Sequence, residues 1–394
     1  MPPLQGGDAE QRRRDVARHV LVDPADDGDA LRRGGNDHFP DPALPPPAGR
    51  GAAFARPATS VPGIAGRAIL TSAAARWLLA ALVVSPLSAA EPDKPKPIAR
   101  LDASPELVRA LAEIAAQTVA EFSKAGLTEE GLSIAVIDLT APTPVSSFPA
   151  GAYRGDVPYY PCSVVKICFL SYYEARKEAG KLADNPELSR AVKDMITVSS
   201  NDATGFVVDS ITGTTSGPEI ADAREWEKWK LRRNAVNDWY RARGYKELNA
   251  NQKTFCEDAY GREQAFRDNG KNRNRMTAAE ATRLFKEIVR GEVAGERLTD
   301  EMMMLLSRDI TGEKPLEDLE LEDARLAGEG LPKGSRLWAK SGDAYDFHHL
   351  VGRVVLPNGS DFVIAVFTKG VKTVPGLIPF VYEKVAARFA ARRS

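Results

Sequence analysis

Apolar residues at helical and strand spacing predict the first elements of this chain. Leu107 and Leu111 recur one turn apart after Ser104-Pro105, an N-cap residue followed by a proline at the first helical position. The mainly apolar run Leu132–Leu139 has the length of a buried strand. A helix followed by a strand is therefore predicted at the start of the folded region.

Later patterns extend this outline to a sheet and a helical lobe. Alternating or apolar runs on both sides of Pro357-Asn358-Gly359 predict an antiparallel hairpin. The order of elements favours an α+β fold, with an antiparallel sheet flanked by terminal helices, a helical lobe, and a site in the cleft between them. The other predicted elements are a helix from Ser163 to about Glu178, mostly helical chain from Pro186 to Arg290, strands Leu350–Leu356 and Asp361–Thr368, and a last helix from Ile378 to Arg392.

The N-terminal region differs in composition from the rest. Residues 1–66 are rich in Pro, Gly, Arg and Asp, carry no sustained apolar period, and are predicted to be disordered. Residues 67–90 have the order of a signal peptide: basic residues, the apolar run Trp77–Val84, then Ser88 and Ala90 before a cleavage point at Glu91. An uncleaved anchor is the alternative, although this run is shorter than the roughly 20 residues that span a bilayer.

The position of this signal within the chain has two explanations. Either the leader is unusually extended, or translation starts just upstream of Arg67 and residues 1–60 are upstream sequence. The second is favoured because Lys is absent before Lys94 and frequent after it. A Pro/Lys linker over residues 91–101 and one domain over residues 102–394 complete the organisation, and the processed protein is expected to be periplasmic or secreted.

Composition narrows the class of partner. The 394 residues include 53 Lys+Arg and 54 Asp+Glu, a formal charge of −1, without a dominant basic run, so nucleic acid is not an expected partner. Cys162, Cys168 and Cys256 are too few for a disulfide scaffold and lack zinc-site spacing. A Cys162–Cys256 bridge and buried free thiols both stay open. No cofactor, metal or stable membrane insertion after cleavage is expected, and the protein is expected to be a monomer.

A serine and a lysine lie one helical turn apart in Ser163-Val164-Val165-Lys166. A serine needs a nearby base to become a nucleophile, and a lysine can act as that base when burial or another cation lowers its pKa. The apolar neighbours of Lys166 would supply burial. A position at a helix N-terminus would also let the backbone N–H of Ser163 face an oxyanion.

Two further motifs follow in order, Ser199-Ser200-Asn201 and Lys340-Ser341-Gly342-Asp343. With Ser163 and Lys166 they resemble the S-x-x-K, S-x-N and K-[TS]-G motifs of the penicillin-recognising serine hydrolases, the superfamily of class A β-lactamases and DD-peptidases. The resemblance extends over roughly residues 102–392. It implies a β-lactamase/transpeptidase-like fold and a small β-lactam or peptidoglycan-like substrate.

The resemblance also implies a role for each matched side chain in catalysis. Ser163 would be the acylated nucleophile and Lys166 its general base. Ser199 would carry a proton to the leaving nitrogen, Asn201 would hold the substrate amide, and Lys340 would supply positive potential.

The last motif would bind the substrate. Ser341 would bind a substrate carboxylate, and the backbone N–H groups of Ser163 and Asp343 would form the oxyanion hole. Gly342 would be small enough to let the substrate approach.

A Ser-His-Asp triad is a rival arrangement. Only His348 and His349 occur in the predicted domain, next to the hairpin, and there is no G-x-S-x-G motif. Adjacent histidines alternate faces on a strand and no H-E-x-x-H sequence is present, so metal catalysis is also disfavoured. These two histidines are expected to line the mouth of the site or to lie on a strand surface.

The sequence departs from class A β-lactamases in the middle of the chain. Their R-x-E-x-x-L-N motif, whose Glu activates the deacylating water, is not identified in the comparable stretch Tyr240–Phe255, where Asn251 and Gln252 stand near the expected place. A neutral amide cannot accept a proton as a carboxylate does. The acids that could substitute, although each is expected to be an exposed loop charge, are Glu247, Glu257 and Asp258.

Other departures concern the walls of the site. Ser200 stands where the family has Asp and cannot make a buried carboxylate's hydrogen bonds. The short interval between Ser163 and Ser199 predicts a more open cleft. The long Ser216–Tyr240 stretch, with its three tryptophans, is expected to serve helix packing.

The leading hypothesis is an exported serine hydrolase of the class A β-lactamase type that forms an acyl-enzyme on Ser163. One alternative is a cell-wall DD-peptidase or related esterase with the same machinery. The other is a penicillin-binding sensor that acylates and stops, as the missing Glu would suggest.

Overall fold

The computed structural model describes residues 98–140, 147–183, 185–254, 260–311, 328–371 and 373–391. The predictions for residues 1–66, for the signal peptide at 67–90 and for most of the 91–101 linker lie outside the described residues. Within the part of the chain that is described, none of the helices is both long and apolar enough to cross a membrane.

Ten α-helices are described and surround a mixed sheet. The predicted first and last helices are present, and Ser104 caps the first, with its Oγ accepting from the Leu107 N–H at 3.3 Å. The helix predicted from Ser163 begins at Lys166, after a 3-10 turn, and the region from Pro186 to Arg290 is mostly helical, as predicted. The helices are α1 Pro105–Phe122, α2 Lys166–Glu178, α3 Pro186–Thr197, α4 Asn201–Thr212, α5 Ala223–Arg233, α6 Ala235–Ala242, α7 Gly261–Arg267, α8 Ala278–Val289, α9 Glu296–Leu306 and α10 Leu377–Ala391.

The described strands form a seven-stranded sheet and a separate two-stranded pair. The order in the large sheet is β1-β3-β2-β9-β8-β7-β6, and the small pair is β4-β5. The strands are β1 Arg100–Ala103, β2 Leu132–Asp138, β3 Ser147–Tyr153, β4 Pro158–Tyr159, β5 Met276–Thr277, β6 Ser307–Arg308, β7 Arg336–Ala344, β8 Phe347–Val355 and β9 Asp361–Lys369.

The predicted α+β class, antiparallel hairpin and flanking terminal helices are confirmed. One part of the sheet differs, since β1 pairs with β3 in parallel. Strand β3 was not predicted because Pro149 and Gly151 interrupt its apolar pattern. The glycine is required there: a Cβ at Gly151 would lie 2.5 Å from Cβ of Leu107, so only glycine lets α1 pack this close to the sheet.

Strand β9 joins the two hydrophobic cores of the domain. Its alternate residues Phe362, Ile364 and Val366 face the core beneath α1 and α10, whereas Val363 and Phe367 face the core shared with the helical lobe. All five side chains are fully buried. A central strand buried on both faces holds the sheet rigidly between the two helical layers.

The helical lobe contains a buried network of four charges. Arg233 donates through two nitrogens to Glu263, at 2.9 and 2.8 Å, and also to Asp209 at 3.0 Å. Lys253 donates to Asp209 at 2.6 Å and lies 3.6 Å from Glu263. Two cations thus balance two carboxylates and connect α4, α5 and α7 with the loop that carries Lys253.

The substitution Glu263→Gln should destabilise the protein by about 3 kcal/mol or more, because it leaves the buried cations of Arg233 and Lys253 with Asp209 as their one remaining carboxylate in the network. Thermal or denaturant unfolding would measure the loss. The matched control is Glu225→Gln, which removes an exposed partner of Lys228 and should change the stability by less than about 0.5 kcal/mol. Equal effects of the two substitutions would contradict the structural role of the network.

Candidate active site

Ser163 lies in a short 3-10 turn, Cys162–Val165, directly before α2. Cys162 has a φ of 49°, the left-handed region that non-glycine residues rarely adopt. Strand β7 presses against the same turn: a Cβ added at Gly342 would lie 2.7 Å from the Pro161 oxygen and 3.0 Å from the Ser163 nitrogen. Gly342 was expected to be small so that the substrate can approach, and the structure gives a further reason for glycine, since a Cβ would meet the backbone of this turn.

The Lys166 side chain is fully buried at the start of α2. Its Nζ donates to the backbone oxygen of Ser199 at 2.5 Å, to Ser199 Oγ at 3.1 Å and to Asn201 Oδ1 at 2.9 Å. Lys166 therefore connects the first of the three motifs to the second. The amide of Asn201 is oriented by the same ammonium group.

Ser199 lies between two helices in a strained conformation. The turn from α3 to α4 gives it a φ of 54°, which directs both its carbonyl and its hydroxyl oxygen toward Lys166. The Ser199 Oγ also accepts from Lys340 Nζ at 2.9 Å, and Lys340 is fully buried on β7. One hydroxyl group is thus shared by two buried ammonium groups from different elements.

Ser200 replaces the expected acid as a helix cap. Its Oγ accepts from the Ala203 N–H at 3.2 Å at the start of α4. A serine suits this N-cap position as well as an aspartate does. The local structure that carries Ser199 and Asn201 is therefore kept without a carboxylate.

The predicted binding residues lie along β7 beyond Lys340. Ser341 is buried, whereas Asp343 is exposed and accepts a hydrogen bond from the hydroxyl of Thr373. In the pairing with β8, Gly342 stands opposite His349 and Asp343 opposite His348. The fold thus brings all three motifs to one place, as the sequence predicted.

The two histidines do not lie at the mouth of the site or on a strand surface. His348 and His349 are both buried, which makes that expectation wrong. The imidazole of His349 packs against the ring of Tyr159 and stacks on that of Phe367 at 4.3 Å. His349 Nδ1 accepts from the Thr368 N–H at 3.2 Å, so Nε2 carries the proton and donates to the Tyr160 oxygen at 2.9 Å. Its hydrogen bonds tie the sheet to the segment before Ser163.

Comparison with known proteins agrees with this architecture. The model of the Beta-lactamase enzyme family matches residues 181–387. The chain belongs to this family. The matched residues include Ser199, Asn201 and Lys340 but begin after Ser163 and Lys166. No curated protein sequence matches the chain.

Solved structures of β-lactamases show the same fold at low sequence identity. The β-lactamase from Sphaerobacter thermophilus is 17% identical, with 71% of this chain and 98% of that chain covered and a TM-score of 0.51. A single-residue variant of the TLA-1 extended-spectrum β-lactamase is 14% identical, with 70% of this chain and 98% of that chain covered and a TM-score of 0.51. A variant of the class A β-lactamase of the last common ancestor of Gram-negative bacteria is 18% identical, with 71% of this chain and 99% of that chain covered and a TM-score of 0.50.

One family motif is present in altered form and was missed in the sequence. Aligning R-x-E-x-x-L-N with Arg243, Leu248 and Asn249 places Tyr245 at the position of the glutamate. Tyr245 is buried, and this burial, followed by the charge of Glu287, raises its pKa well above the ordinary value. A phenol with so high a pKa remains protonated and cannot act as the base that a glutamate would be.

The loop that follows Tyr245 is held mainly by amide groups. Asn237 Nδ2 donates to Asn249 Oδ1 at 2.6 Å, and Asn274 Oδ1 accepts from the backbone N–H groups of Asn251 and Gln252 at 3.1 and 2.9 Å. Neutral side chains thus hold the loop beside α4. Asn251 and Gln252 were expected to offer no base, and in the structure they help to hold the loop through their hydrogen bonds to Asn274.

The loop is also fastened to the start of α8. The Oε1 atom of Glu280 accepts from the backbone N–H groups of Lys246, Glu247 and Leu248, at 3.1, 2.9 and 3.1 Å. Glu247 itself is exposed, as expected, whereas Glu257 and Asp258 lie outside the described residues. The predicted openness of the cleft stays a prediction.

The cysteines and tryptophans have structural roles. Cys162 and Cys168 are buried free thiols, and Cys256 lies outside the described residues. Burial, followed by the charge of Asp343, raises the pKa of Cys162 to about 12, so its thiol is unreactive. The ring of Trp229 on α5 packs edge-to-face on that of Phe266 on α7 at 5.2 Å, which confirms helix packing in the long stretch. Among the described residues, no cluster of His, Cys, Asp or Glu could hold a metal ion.

The stability of the protein should fall in mild acid because of His349. Burial lowers its pKa from 6.5 to about 4, so in this range the unfolded chain binds a proton that the folded chain does not. The contribution of His349 is complete above about pH 6.5 and is lost as the pH falls toward 4, by up to about 3 kcal/mol.

Thermal unfolding of the wild type and His349→Gln between pH 4 and pH 7.5 would measure this contribution. The variant should be less stable at neutral pH and should lose less stability in acid. If the stability of the two proteins fell in parallel as the pH is lowered, His349 would not be the group responsible for the loss of stability in acid.

Proposed function

We propose that this chain is an exported serine hydrolase of the class A β-lactamase type, which hydrolyses a β-lactam or related amide through an acyl-enzyme on Ser163. One observation carries the proposal: the Ser199 hydroxyl accepts hydrogen bonds from two buried ammonium groups, those of Lys166 and Lys340. This arrangement suits proton transfer at a serine nucleophile better than any other site of the described chain.

Acylation would begin at the turn before α2. The Ser163 hydroxyl attacks the substrate carbonyl carbon, and its proton passes to Lys166. Lys166 would have to act as an uncharged amine in this step, a form that the nearby charge of Lys340 would favour. The negative oxygen that develops would be bound by the backbone N–H groups of Ser163 and Asp343.

Release of the leaving group would use Ser199. Its hydroxyl would donate a proton to the leaving nitrogen as the carbon–nitrogen bond breaks, and Lys166 would return a proton to it. Lys340 would support this transfer by its charge, Asn201 would hold the substrate amide, and Ser341 would bind the substrate carboxylate. Water would then hydrolyse the ester on Ser163.

A second candidate is favoured by Tyr245. With no carboxylate at the position of the family's glutamate, the ester on Ser163 would be released slowly. The chain would then be a DD-peptidase or related esterase that transfers its acyl group, or a penicillin-binding sensor that remains acylated. The proposed location supports all three functions, since a signal peptide at residues 67–90 would place the protein among cell-wall substrates.

Mixing the purified protein with a chromogenic cephalosporin, while following colour and intact mass, tests the proposal. We expect an adduct on Ser163, absent in Ser163→Ala, because the serine forms the ester. The matched control is Ser123→Ala, which changes an exposed serine at the end of α1 and should behave as the wild type.

Sustained colour would establish turnover and the β-lactamase function. A stable adduct without colour beyond one equivalent would favour the peptidase or sensor, and release of D-alanine from a peptide would identify the peptidase. The absence of both colour and adduct would refute the proposal.

Substitution of the neighbouring residues Ser199 and Ser200 should affect different properties of the protein. Ser199→Ala should lower the acylation rate by about 100-fold or more, because the proton path is removed. Ser200→Ala should lower the stability by about 1 kcal/mol through loss of the α4 cap and leave the acylation rate close to that of the wild type.

Stopped-flow acylation and thermal unfolding of both variants would measure these effects. A similar acylation rate in the two variants would contradict the role proposed for Ser199.

A further inference from the structure

Tyr345 is an exposed aromatic residue in a strained turn. Ala344 and Phe347 pair across the β7–β8 hairpin, so Tyr345 and Asp346 form a two-residue turn. Tyr345 has a φ of 59° and is 73% exposed. Glycine or asparagine is the usual residue at such a position, and a bulky side chain there costs about 1 kcal/mol or more. The Tyr345 ring thus occupies a strained backbone position although most of its surface is exposed.

Beneath this ring lies the guanidinium of Arg273. Its central carbon is 3.8 Å from the centre of the Tyr160 ring and 5.0 Å from the centre of the Tyr345 ring. Among the described residues, Arg273 forms no ion pair with a carboxylate. Its backbone is fixed, since the Arg273 oxygen accepts from Asn249 Nδ2 at 2.9 Å. The two rings hold a half-buried cation in one orientation, with its charge still available.

The position of this cation relative to the nucleophile follows from the strand. Tyr160 stands three residues before Ser163, and Tyr345 stands two residues after Asp343, at the far end of β7 from Lys340 and Ser341. A substrate carbonyl between Ser163 and Asp343, with its leaving-group carboxylate at Ser341, would direct its acyl side chain toward Tyr345. In this binding mode Arg273, which lies against the rings of Tyr160 and Tyr345, would be on the acyl side of the reacting bond.

Two carboxylates close to this place are already engaged. Asp343 accepts from the hydroxyl of Thr373, and Asp346 Oδ2 accepts from the Gly370 N–H at 3.1 Å. Their charges limit the attraction for an anion but do not neutralise Arg273 by direct contact. A guanidinium held between rings still presents N–H groups at its edge, and these bind a carboxylate well.

We propose that Arg273, held between the rings of Tyr160 and Tyr345, binds a carboxylate on the acyl side of the substrate, so that the preferred acyl donors carry a second anionic group there. This inference rests on the proposed acylation of Ser163. It names a substrate class, because a donor with a neutral or cationic acyl side chain would offer Arg273 no carboxylate.

Three penicillins that differ in one substituent provide the test. Benzylpenicillin carries hydrogen at the side-chain α-carbon, α-carboxybenzylpenicillin carries a carboxylate and α-aminobenzylpenicillin carries an ammonium group. The second-order rate constant for acylation of the purified protein would be measured for each by intact mass. We expect the carboxylate compound to react about tenfold faster than the ammonium compound, with a smaller ratio at high ionic strength.

Substitutions assign this preference to Arg273. Arg273→Gln should bring the carboxylate-to-ammonium ratio close to one, and Arg273→Lys should restore part of it. Lys271→Gln removes an exposed charge of the same segment and should keep the wild-type ratio. Tyr345→Gly should lower the ratio while raising the thermal midpoint, because it relieves the strained φ and removes one ring.

The outcomes separate this inference from the proposed function. Acylation of Ser163 by all three penicillins with the same ratio in the wild type and Arg273→Gln would overturn the inference and leave the proposed function intact. Absence of any adduct on Ser163 would refute the proposed function and the inference together. A ratio that falls in Arg273→Gln and recovers in Arg273→Lys would support both.

Discussion

The Ser199 hydroxyl, shared by the ammonium groups of Lys166 and Lys340, is the contact around which the site is organised. Two buried cations repel each other and lose their hydration, so each needs oxygen atoms at hydrogen-bond distance. Lys166 obtains them from the Ser199 carbonyl, the Ser199 hydroxyl and the Asn201 amide. Ser199 meets this requirement from a left-handed conformation, and β7 brings Lys340 to the same hydroxyl.

The surrounding structure keeps these groups in register. Gly342 allows β7 to approach the backbone of Ser163, and His349 ties β8 to Tyr160 on the other side of that turn. Strand β9, buried on both faces, prevents the sheet from shifting relative to the helices. The buried charges of Arg233, Glu263, Asp209 and Lys253 balance one another and fix the lobe that presents α4.

Where the family uses a carboxylate, this chain uses neutral groups at two places. Ser200 caps α4 in the position of an aspartate, and Tyr245 replaces the glutamate of the loop. The first replacement keeps the local geometry, because a serine hydroxyl caps a helix as well as a carboxylate. The second changes the chemistry, because a buried phenol stays protonated. In the proposed reaction, acylation and release of the acyl group would therefore depend on separate features of the molecule.

Much of the site was determined by sequence alone. The spacing of Ser163 and Lys166 across one turn, the order of the three motifs and the glycine after Lys340-Ser341 are local features, and local features can be read from a linear pattern. The same holds for the cap of α1, the apolar strand β2 and the hairpin of β8 and β9. The α+β class follows from the order of these elements.

Other features were decided only by the tertiary structure. The histidines looked like surface or site residues because their alternation predicts one exposed face, but β8 lies inside the sheet and both faces are covered. Strand β3 and its parallel partner β1 lack an apolar period, so no local pattern predicted them. Strand β3 lies against α1 at Gly151, a contact between segments distant in sequence. The place of Arg273 between two tyrosines joins three segments distant in sequence. Contacts between distant segments depend on how the chain closes in space, so no pattern within one segment can reveal them.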